Sequence, residues 1–240
     1  MRQTIDAAAF QQMVIHAAAA IRAEKQRIND LNVFPVPDGD TGTNMSLSIG
    51  AAAAEMKKQS FDTVGKAAQA TASALLRGAR GNSGVILSLL FRGIAKSLKD
   101  RETIDGRDLA IALDFGVAAA YKAVMKPAEG TILTVSRLAA AQAAAAAREE
   151  NAAESVLEAA IREGQEALAD TINQNPVLKK AGVVDAGGKA FLVILQGMLD
   201  SLRGEPMPQV EEESAPADKA DFVAMAAEDI TFAFDTVFIV

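Results

Sequence analysis

The stretch Leu31–Asn44, "LNVFPVPDGDTGTN", interrupts a chain that otherwise favours helices. Two prolines, two aspartates and two glycines fall between Pro35 and Gly42. Proline lacks a backbone N–H group and glycine tolerates unusual backbone angles, so the stretch predicts a tight loop. It therefore separates a first helical block from a second one, and it places two carboxylates where the second helix begins.

The composition around this loop indicates an all-α fold. Half of the 240 residues are hydrophobic, aromatic residues make up 5%, and tryptophan is absent. Alanine is the best helix former, whereas sheets favour β-branched and aromatic side chains. A chain of this length can bury one sizeable core, and we expect that core to form between helices.

Helical periodicity predicts about eight blocks joined by short connections, which is typical of an up-and-down antiparallel helical barrel or bundle. No alternation of strands and helices is visible. The blocks cover about residues 6–29, 43–58, 62–77, 85–98, 105–124, 131–149, 152–173 and 189–202.

The character of the sequence changes after residue 203. Residues 1–203 are predicted to form the helical domain, and the acidic, proline-rich residues 204–221 to form a linker. Residues 222–240 end in "DITFAFDTVFIV", whose alternation predicts a short C-terminal β-strand. A lone strand is unstable in water. We therefore expect a truncated second domain, or a strand that pairs with another chain.

Charge and composition argue against nucleic acid as a partner, and against disulfides, thiolate metal sites and membrane spans. The net charge of −7 argues against nucleic acid, because nucleic-acid-binding surfaces are basic. The absence of cysteine excludes disulfides and thiolate metal sites. No stretch approaches the ~20 apolar residues of a membrane span, and the N-terminus does not have the pattern of a signal peptide. These features predict a soluble, cytoplasmic protein.

Four glycine-rich loops precede alternate helical blocks: "DGDTGTN", "GARGNSG", "EGT" and "DAGG". In an up-and-down array these four helices begin at the same end. Helix N-termini attract anions, so their convergence predicts a ligand with several phosphates. Asp38 and Asp40 would repel phosphate unless a divalent cation lies between them, and Mg²⁺ is usually held by one or two carboxylates with substrate phosphates. Each loop alone is also ordinary turn chemistry.

Two other motifs fail on spacing. An EF-hand loop starting at Asp38 needs Gly at its sixth position and Glu at its twelfth, but Thr43 and Ile49 stand there. No G-x-x-x-x-G-K-[ST] run exists, so the chain has no P-loop. The loops therefore favour a magnesium–nucleoside triphosphate site of a different kind.

Four segments together resemble the ATP-binding domain of the dihydroxyacetone kinase nucleotide-binding (DhaL-like) superfamily. They are "NVFPVPDGDTGTNM", "GARGNSGVILS", "EGTILTV" and "GVVDAGGKAF". Within that superfamily the sequence is most similar to the N-terminal domain of the bacterial fatty acid kinase ATP-binding subunit, over roughly residues 1–203. The resemblance implies an all-α barrel with Mg²⁺ and ATP (or ADP) at one end.

The resemblance also implies roles for individual residues. Asp38 and Asp40 match magnesium-binding, catalytic aspartates. Val33 stands where the dihydroxyacetone branch has a third aspartate, and the adjacent Asn32 is expected to supply a neutral oxygen to the metal. Arg80 is a candidate to face the γ-phosphate, or else a solvent-facing arginine. The nucleotide-binding loops match Thr41, Gly42, Thr43, Asn44, Asn82, Ser83, Gly84, Gly130, Thr131, Asp185, Ala186 and Gly187.

The sequence shows no clear general base. His16 is the only histidine and lies mid-helix, where a packing role is expected. A carboxylate acceptor needs no base because it is already ionised at neutral pH. The resemblance implies the same: a fatty acid presented by a separate fatty-acid-binding carrier protein is converted to an acyl phosphate. The alternatives are a dihydroxyacetone-type kinase subunit and a non-catalytic nucleotide-sensing module. A homodimer through the missing C-terminal region is a further expectation.

Overall fold

The computed structural model describes residues 1–209, which form ten α-helices. The all-α prediction is confirmed, and within this range the only β-type pairing is an isolated bridge between Ile5 and Ile104. The predicted strand and most of the predicted linker lie outside the described residues. The helices are α1 Ala7–Ala23, α2 Lys25–Asn29, α3 Thr41–Met56, α4 Val64–Gly78, α5 Gly81–Ser97, α6 Gly106–Ala123, α7 Ile132–Glu149, α8 Ala153–Gln174, α9 Pro176–Ala181 and α10 Ala186–Arg203.

Two short helices were not expected from the sequence. The first block divides at Glu24, whose backbone (φ −96°, ψ 2°) leaves the helical range and separates α1 from α2. Helix α9 occupies a stretch predicted as a loop. Its signals are present in the sequence, because Asn175 caps it, Pro176 is its first residue and Gly182 follows it with φ +71°.

The eight long helices form a closed ring. Each packs on the next in the order α1, α3, α4, α5, α6, α7, α8 and α10, and α10 packs extensively on α1. Closure depends on a close approach at Gly197, where an added Cβ would lie 2.9 Å from Ala17 Cα and from Ala20 Cβ. The interior is filled by fully buried aliphatic side chains such as Ile21 and Leu75, each contributing about 1.5–3 kcal/mol.

Cross-helix contacts show that neighbouring helices in the ring run antiparallel. Arg203 at the end of α10 pairs with Glu154 at the start of α8, with Nε 3.1 Å from Oε1. The N–H of Val64 at the start of α4 bonds to the carbonyl of Glu102, just beyond α5. The starts of α3, α5, α7 and α10 therefore lie together at one end of the ring, as the loop spacing predicted.

No helix among residues 1–209 combines the length and the apolar character that a membrane crossing requires.

Candidate functional site

The proline-containing loop before α3 leaves both of its carboxylates without a partner in the described part of the chain. Asp40 is the N-cap residue of α3, yet its side chain makes no capping hydrogen bond. Asp38 is exposed, and neither carboxylate has a hydrogen-bond or ion-pair partner within residues 1–209. Gly39 between them has φ +65°, a conformation that glycine adopts without strain. Both carboxylates are thus available to a cation at the start of α3.

Two asparagines replace Asp40 as caps of α3. Asn32 Oδ1 accepts the N–H groups of Asp40 (3.1 Å) and Thr41 (3.0 Å) and the Thr41 hydroxyl (2.7 Å). Asn29 Oδ1 accepts the N–H of Thr43 at 3.1 Å, and its Nδ2 donates to Thr43 Oγ1 at 3.0 Å. Because a helix start needs acceptors for its unpaired N–H groups, these amides free the aspartates for another role.

The predicted role of Asn32 as a metal ligand does not fit this geometry. Its buried Oδ1 already accepts three hydrogen bonds, and its Nδ2 donates to the Val36 carbonyl at 2.9 Å. An amide oxygen with three donors around it has no lone pair directed at a cation. Asn32 therefore positions the loop.

Helix α5 begins against α3. Ser48 Oγ accepts the N–H of Arg80 at 3.1 Å and donates to the Asn44 carbonyl at 2.7 Å. Gly81, with φ +58°, faces the Asn44 amide so closely that a Cβ would overlap it. The two loops thus meet where Asn44, a predicted phosphate-contacting residue, packs against Gly81.

The start of α5 is the most open donor set of the four. It has no side-chain cap, and the N–H groups of Gly81, Asn82 and Ser83 have no partner within the described chain. Gly84 N–H bonds back to the Arg80 carbonyl at 3.0 Å. Three consecutive unpaired N–H groups at a helix start form a site that suits an anionic oxygen.

The starts of α7 and α10 are tied together by Asp185. Its buried carboxylate accepts the N–H of Gly188 at 2.7 Å and also that of Ile132, the first residue of α7. The Asp185 N–H donates to Thr171 Oγ1 at 3.1 Å. Burial raises the pKa of Asp185 to about 6, although the two N–H donors favour ionisation. These contacts occupy the Asp185 carboxylate within the protein.

Of the other residues predicted at the starts of α7 and α10, one is bonded within the protein and two have unpaired N–H groups. Thr131 is buried and caps α7, accepting the N–H of Leu133 at 3.3 Å and donating to the Ala128 carbonyl at 2.7 Å. The N–H groups of Ala186 and Gly187 have no partner within residues 1–209. The α10 start therefore offers two donors and the α7 start is largely satisfied internally.

A polar network missed by the sequence reasoning holds the loop before α7. The Glu129 carboxylate accepts hydrogen bonds from Thr134 Oγ1 (2.7 Å), Arg137 (2.8 Å) and the Tyr121 hydroxyl (3.0 Å). Thr134 Oγ1 accepts the N–H of Gly130 at 2.8 Å. The bond from Thr134, with those from Arg137 and Tyr121, holds the pKa of Glu129 below its ordinary value despite partial burial. The network fixes Gly130 beside α7.

Arg80 and His16 occupy different environments. Arg80 is exposed at the α5 start, and its Nη1 donates only to the neighbouring Ala79 carbonyl at 3.4 Å, so the guanidinium is accessible. His16 is buried in α1, and its Nε2 has no hydrogen-bond partner in the described chain. The buried position matches the packing role that the sequence favoured for His16.

Two further features limit where chemistry can occur. Within residues 1–209 no three His, Asp or Glu side chains come together as a metal cluster, so a cation at Asp38 and Asp40 would take its other ligands from water and ligand oxygens.

A groove of ≈ 520 Å³ lies between α1 and the end of α3, at the end opposite the loops. Gln11 in that groove already donates to the Met56 and Gln59 carbonyls, so we assign the groove to packing.

Fold and site together define a closed all-helical domain that collects open helix N-termini and two free carboxylates at one end. Residues 35–200 match the DAK2 domain, and the chain belongs to this family. It is 44% identical over 241 residues to protein YloV of Bacillus subtilis, and 41% identical to an uncharacterized protein of Staphylococcus saprophyticus. Each alignment covers 98% of this chain and 44% of the relative, so the chain spans less than half of their length.

Two solved structures have a similar fold. They are the dihydroxyacetone kinase of C. freundii in its native form and the same enzyme in complex with AMP-PNP and Mg²⁺. Both superpose with a TM-score of 0.63 at 20% identity, covering 84% of this chain and 36% or 35% of the enzyme. At this identity the likeness concerns the fold.

Proposed function

We propose that this chain is the Mg-ATP-binding domain of a kinase that transfers the γ-phosphate of ATP. Membership of the DAK2 family supports a phosphotransferase, and the similar C. freundii kinase was solved with AMP-PNP and Mg²⁺. The observation that carries the proposal is that two uncommitted carboxylates directly before α3 occur at the same end of the ring as three open N–H groups at the start of α5.

The chain's own residues would act mainly by positioning, which is what phosphoryl transfer requires most. Asp38 and Asp40 would hold Mg²⁺, which when bound neutralises phosphate charge. The N–H groups of Gly81, Asn82 and Ser83 would receive phosphate oxygens. Arg80, exposed at the same helix start, would place a positive charge beside the terminal phosphate.

We further propose that the acceptor is a fatty acid carboxylate, presented in the cytoplasm by a separate acyl-binding carrier protein and converted to an acyl phosphate. The only histidine, His16, is buried in α1, and its Nε2 has no hydrogen-bond partner among residues 1–209. An acceptor that is already ionised needs no general base. The expected homodimer through the missing C-terminal region belongs to this proposal.

A transfer assay with the full-length protein tests this function. ATP labelled on its γ-phosphate is mixed with Mg²⁺ and a fatty-acid-loaded carrier, or with dihydroxyacetone and a histidine-bearing partner. We expect label on the fatty acid only, and loss of at least about 100-fold in rate for Asp38→Asn. Asp100→Asn, an exposed aspartate at the opposite end, is the matched control. Label on dihydroxyacetone would refute the acyl acceptor.

A second candidate is a module that senses nucleotide without turnover. Val33 favours it, since a third carboxylate is lacking where the dihydroxyacetone branch has one. Tight ATP binding by the full-length protein, without transfer to any acceptor, would support this alternative.

A further inference from the structure

We infer that Ser48 is a positioning residue that joins the carboxylate-bearing helix α3 to the phosphate-facing start of α5. The inference rests on the proposed function, because it concerns how that site is held. Ser48 is fully buried in the second turn of α3 and was not among the residues that the sequence singled out.

The Ser48 hydroxyl makes one bond to each helix. It donates to the Asn44 carbonyl at 2.7 Å, within α3, and it accepts the N–H of Arg80 at 3.1 Å, across the gap to α5. Arg80 is the N-cap residue of α5 and has no capping side-chain bond of its own. The hydroxyl thus fixes the residue directly before the three open N–H groups.

Gly84 supplies an independent observation. A Cβ at Gly84 would overlap Ser48 Oγ, while its next nearest atom, Ser48 Cβ, is 3.4 Å away. The first turn of α5 therefore lies directly against the hydroxyl, with no space for another side chain. A bond and a close contact from the same oxygen define the separation between the Asp40 end of α3 and the start of α5.

This arrangement couples two ligands of the proposed site. A cation held by Asp38 and Asp40 depends on α3, whereas phosphate oxygens depend on the α5 N–H groups. Because Ser48 sets the separation of the two helices, its loss should weaken nucleotide binding most when Mg²⁺ is present, since the cation and the phosphates must then be held at the same time. We expect Ser48→Ala to reduce the affinity for a fluorescent ATP analogue about tenfold with Mg²⁺ and less in EDTA, because the Arg80 N–H loses the acceptor that holds the start of α5.

Ser88→Ala is the matched control. Ser88 is equally buried, but its hydroxyl donates only to the Val85 carbonyl of its own helix, at 2.7 Å. Its loss should lower the melting temperature without changing the Mg²⁺-dependent gain in affinity. If Ser48→Ala binds Mg-ATP as the wild type does, or loses no more than Ser88→Ala, the inference is wrong.

A rescue experiment separates hydrogen bonding from spacing. Gly84→Ala should lower both the melting temperature and the affinity, and adding Ser48→Ala should restore the melting temperature because the overlapping oxygen is gone. The affinity of the double variant should stay low, since Arg80 N–H still lacks its acceptor. Full recovery of affinity would show that Ser48 is only a spacer and would overturn the inference.

Amide hydrogen exchange keeps the inference testable if nucleotide binding fails. The Arg80 amide should be protected in the wild type and exchange rapidly in Ser48→Ala. A wild-type chain that binds no nucleotide but shows this protection would refute the proposed function and leave the Ser48 contact standing. An unprotected Arg80 amide in the wild type would refute the contact itself.

Discussion

At the scale of single residues, Asp185 shows how one carboxylate can be committed to the fold inside a predicted ligand-binding loop. The sequence placed it among the nucleotide contacts. In the structure it caps α10 through Gly188 and also reaches the start of α7 at Ile132. Two helix starts thereby meet at one buried oxygen pair, so Asp185 organises the site through bonds within the protein.

The buried Asp185 predicts a specific pH dependence of stability. Its pKa is raised from 3.8 in the unfolded chain to about 6 in the fold, so the folded protein binds this proton more tightly. Its contribution to the unfolding free energy is complete below about pH 4 and is lost as the pH rises through about 6, amounting to about 3 kcal/mol. Urea unfolding from pH 4 to 8 measures it.

Asp185→Asn isolates this contribution. Exposed carboxylates such as Asp62 and Asp170 have lowered pKa values and act in the opposite direction, but they are present in both proteins. The unfolding free energy of the variant minus that of the wild type should therefore rise between pH 4 and pH 6 and then level off. A difference that does not vary with pH would contradict the assignment.

At the scale of helices, the four converging N-termini are not equivalent. Asn29 and Asn32 cap α3, and Thr131 with Asp185 satisfies α7, whereas α5 has no cap. Because each of these caps comes from a loop or a neighbouring helix, the helix starts are held in place relative to one another. Among residues 1–209 the open donors are most numerous at α5, with three, and at α10, with two, and anion binding is expected there.

Two glycines in α3 should respond oppositely to alanine. A Cβ at Gly42 would overlap the Lys25 carbonyl of α2, so Gly42→Ala should cost about 1–3 kcal/mol of stability. Gly50 has no atom within 4 Å of its added Cβ and lies mid-helix, so Gly50→Ala should stabilise by up to about 1 kcal/mol. Urea unfolding of both variants checks this. Equal effects would mean that α2 does not pack this closely on α3.

These elements also show what the sequence could predict. Alanine content and periodicity were enough for the long helices and for the shared end of α3, α5, α7 and α10. The loops themselves pointed to Asp38, Asp40 and the N–H groups near Ser83. Ser48 and Asn29 could not be found this way, because each acts across a gap between helices that only the packing reveals. The same holds for the commitment of Asn32 and Asp185 to capping.

At the scale of the whole described domain, the helices close into a ring whose two ends differ in the groups they expose. The contact of α10 with α1 brings the last helix beside the first, and α10 also packs on α2 and α3. The three open N–H groups of α5 and the carboxylates of Asp38 and Asp40 lie at one end, while the other end contains ion pairs such as Arg203–Glu154. The antiparallel order thus brings the starts of α3, α5, α7 and α10 to the end that carries the candidate site.

Calorimetric titration of ATP into the chain, with Mg²⁺ and again with EDTA, tests whether Asp38 and Asp40 hold the cation. The wild type should bind ATP at least about tenfold more tightly with Mg²⁺, about 1.4 kcal/mol or more. Asp38→Asn and Asp40→Asn should each abolish most of that gain, whereas the control Asp100→Asn should keep it. If both aspartate variants keep the full Mg²⁺-dependent gain, the carboxylates do not hold the cation and the proposed Mg-ATP site is wrong.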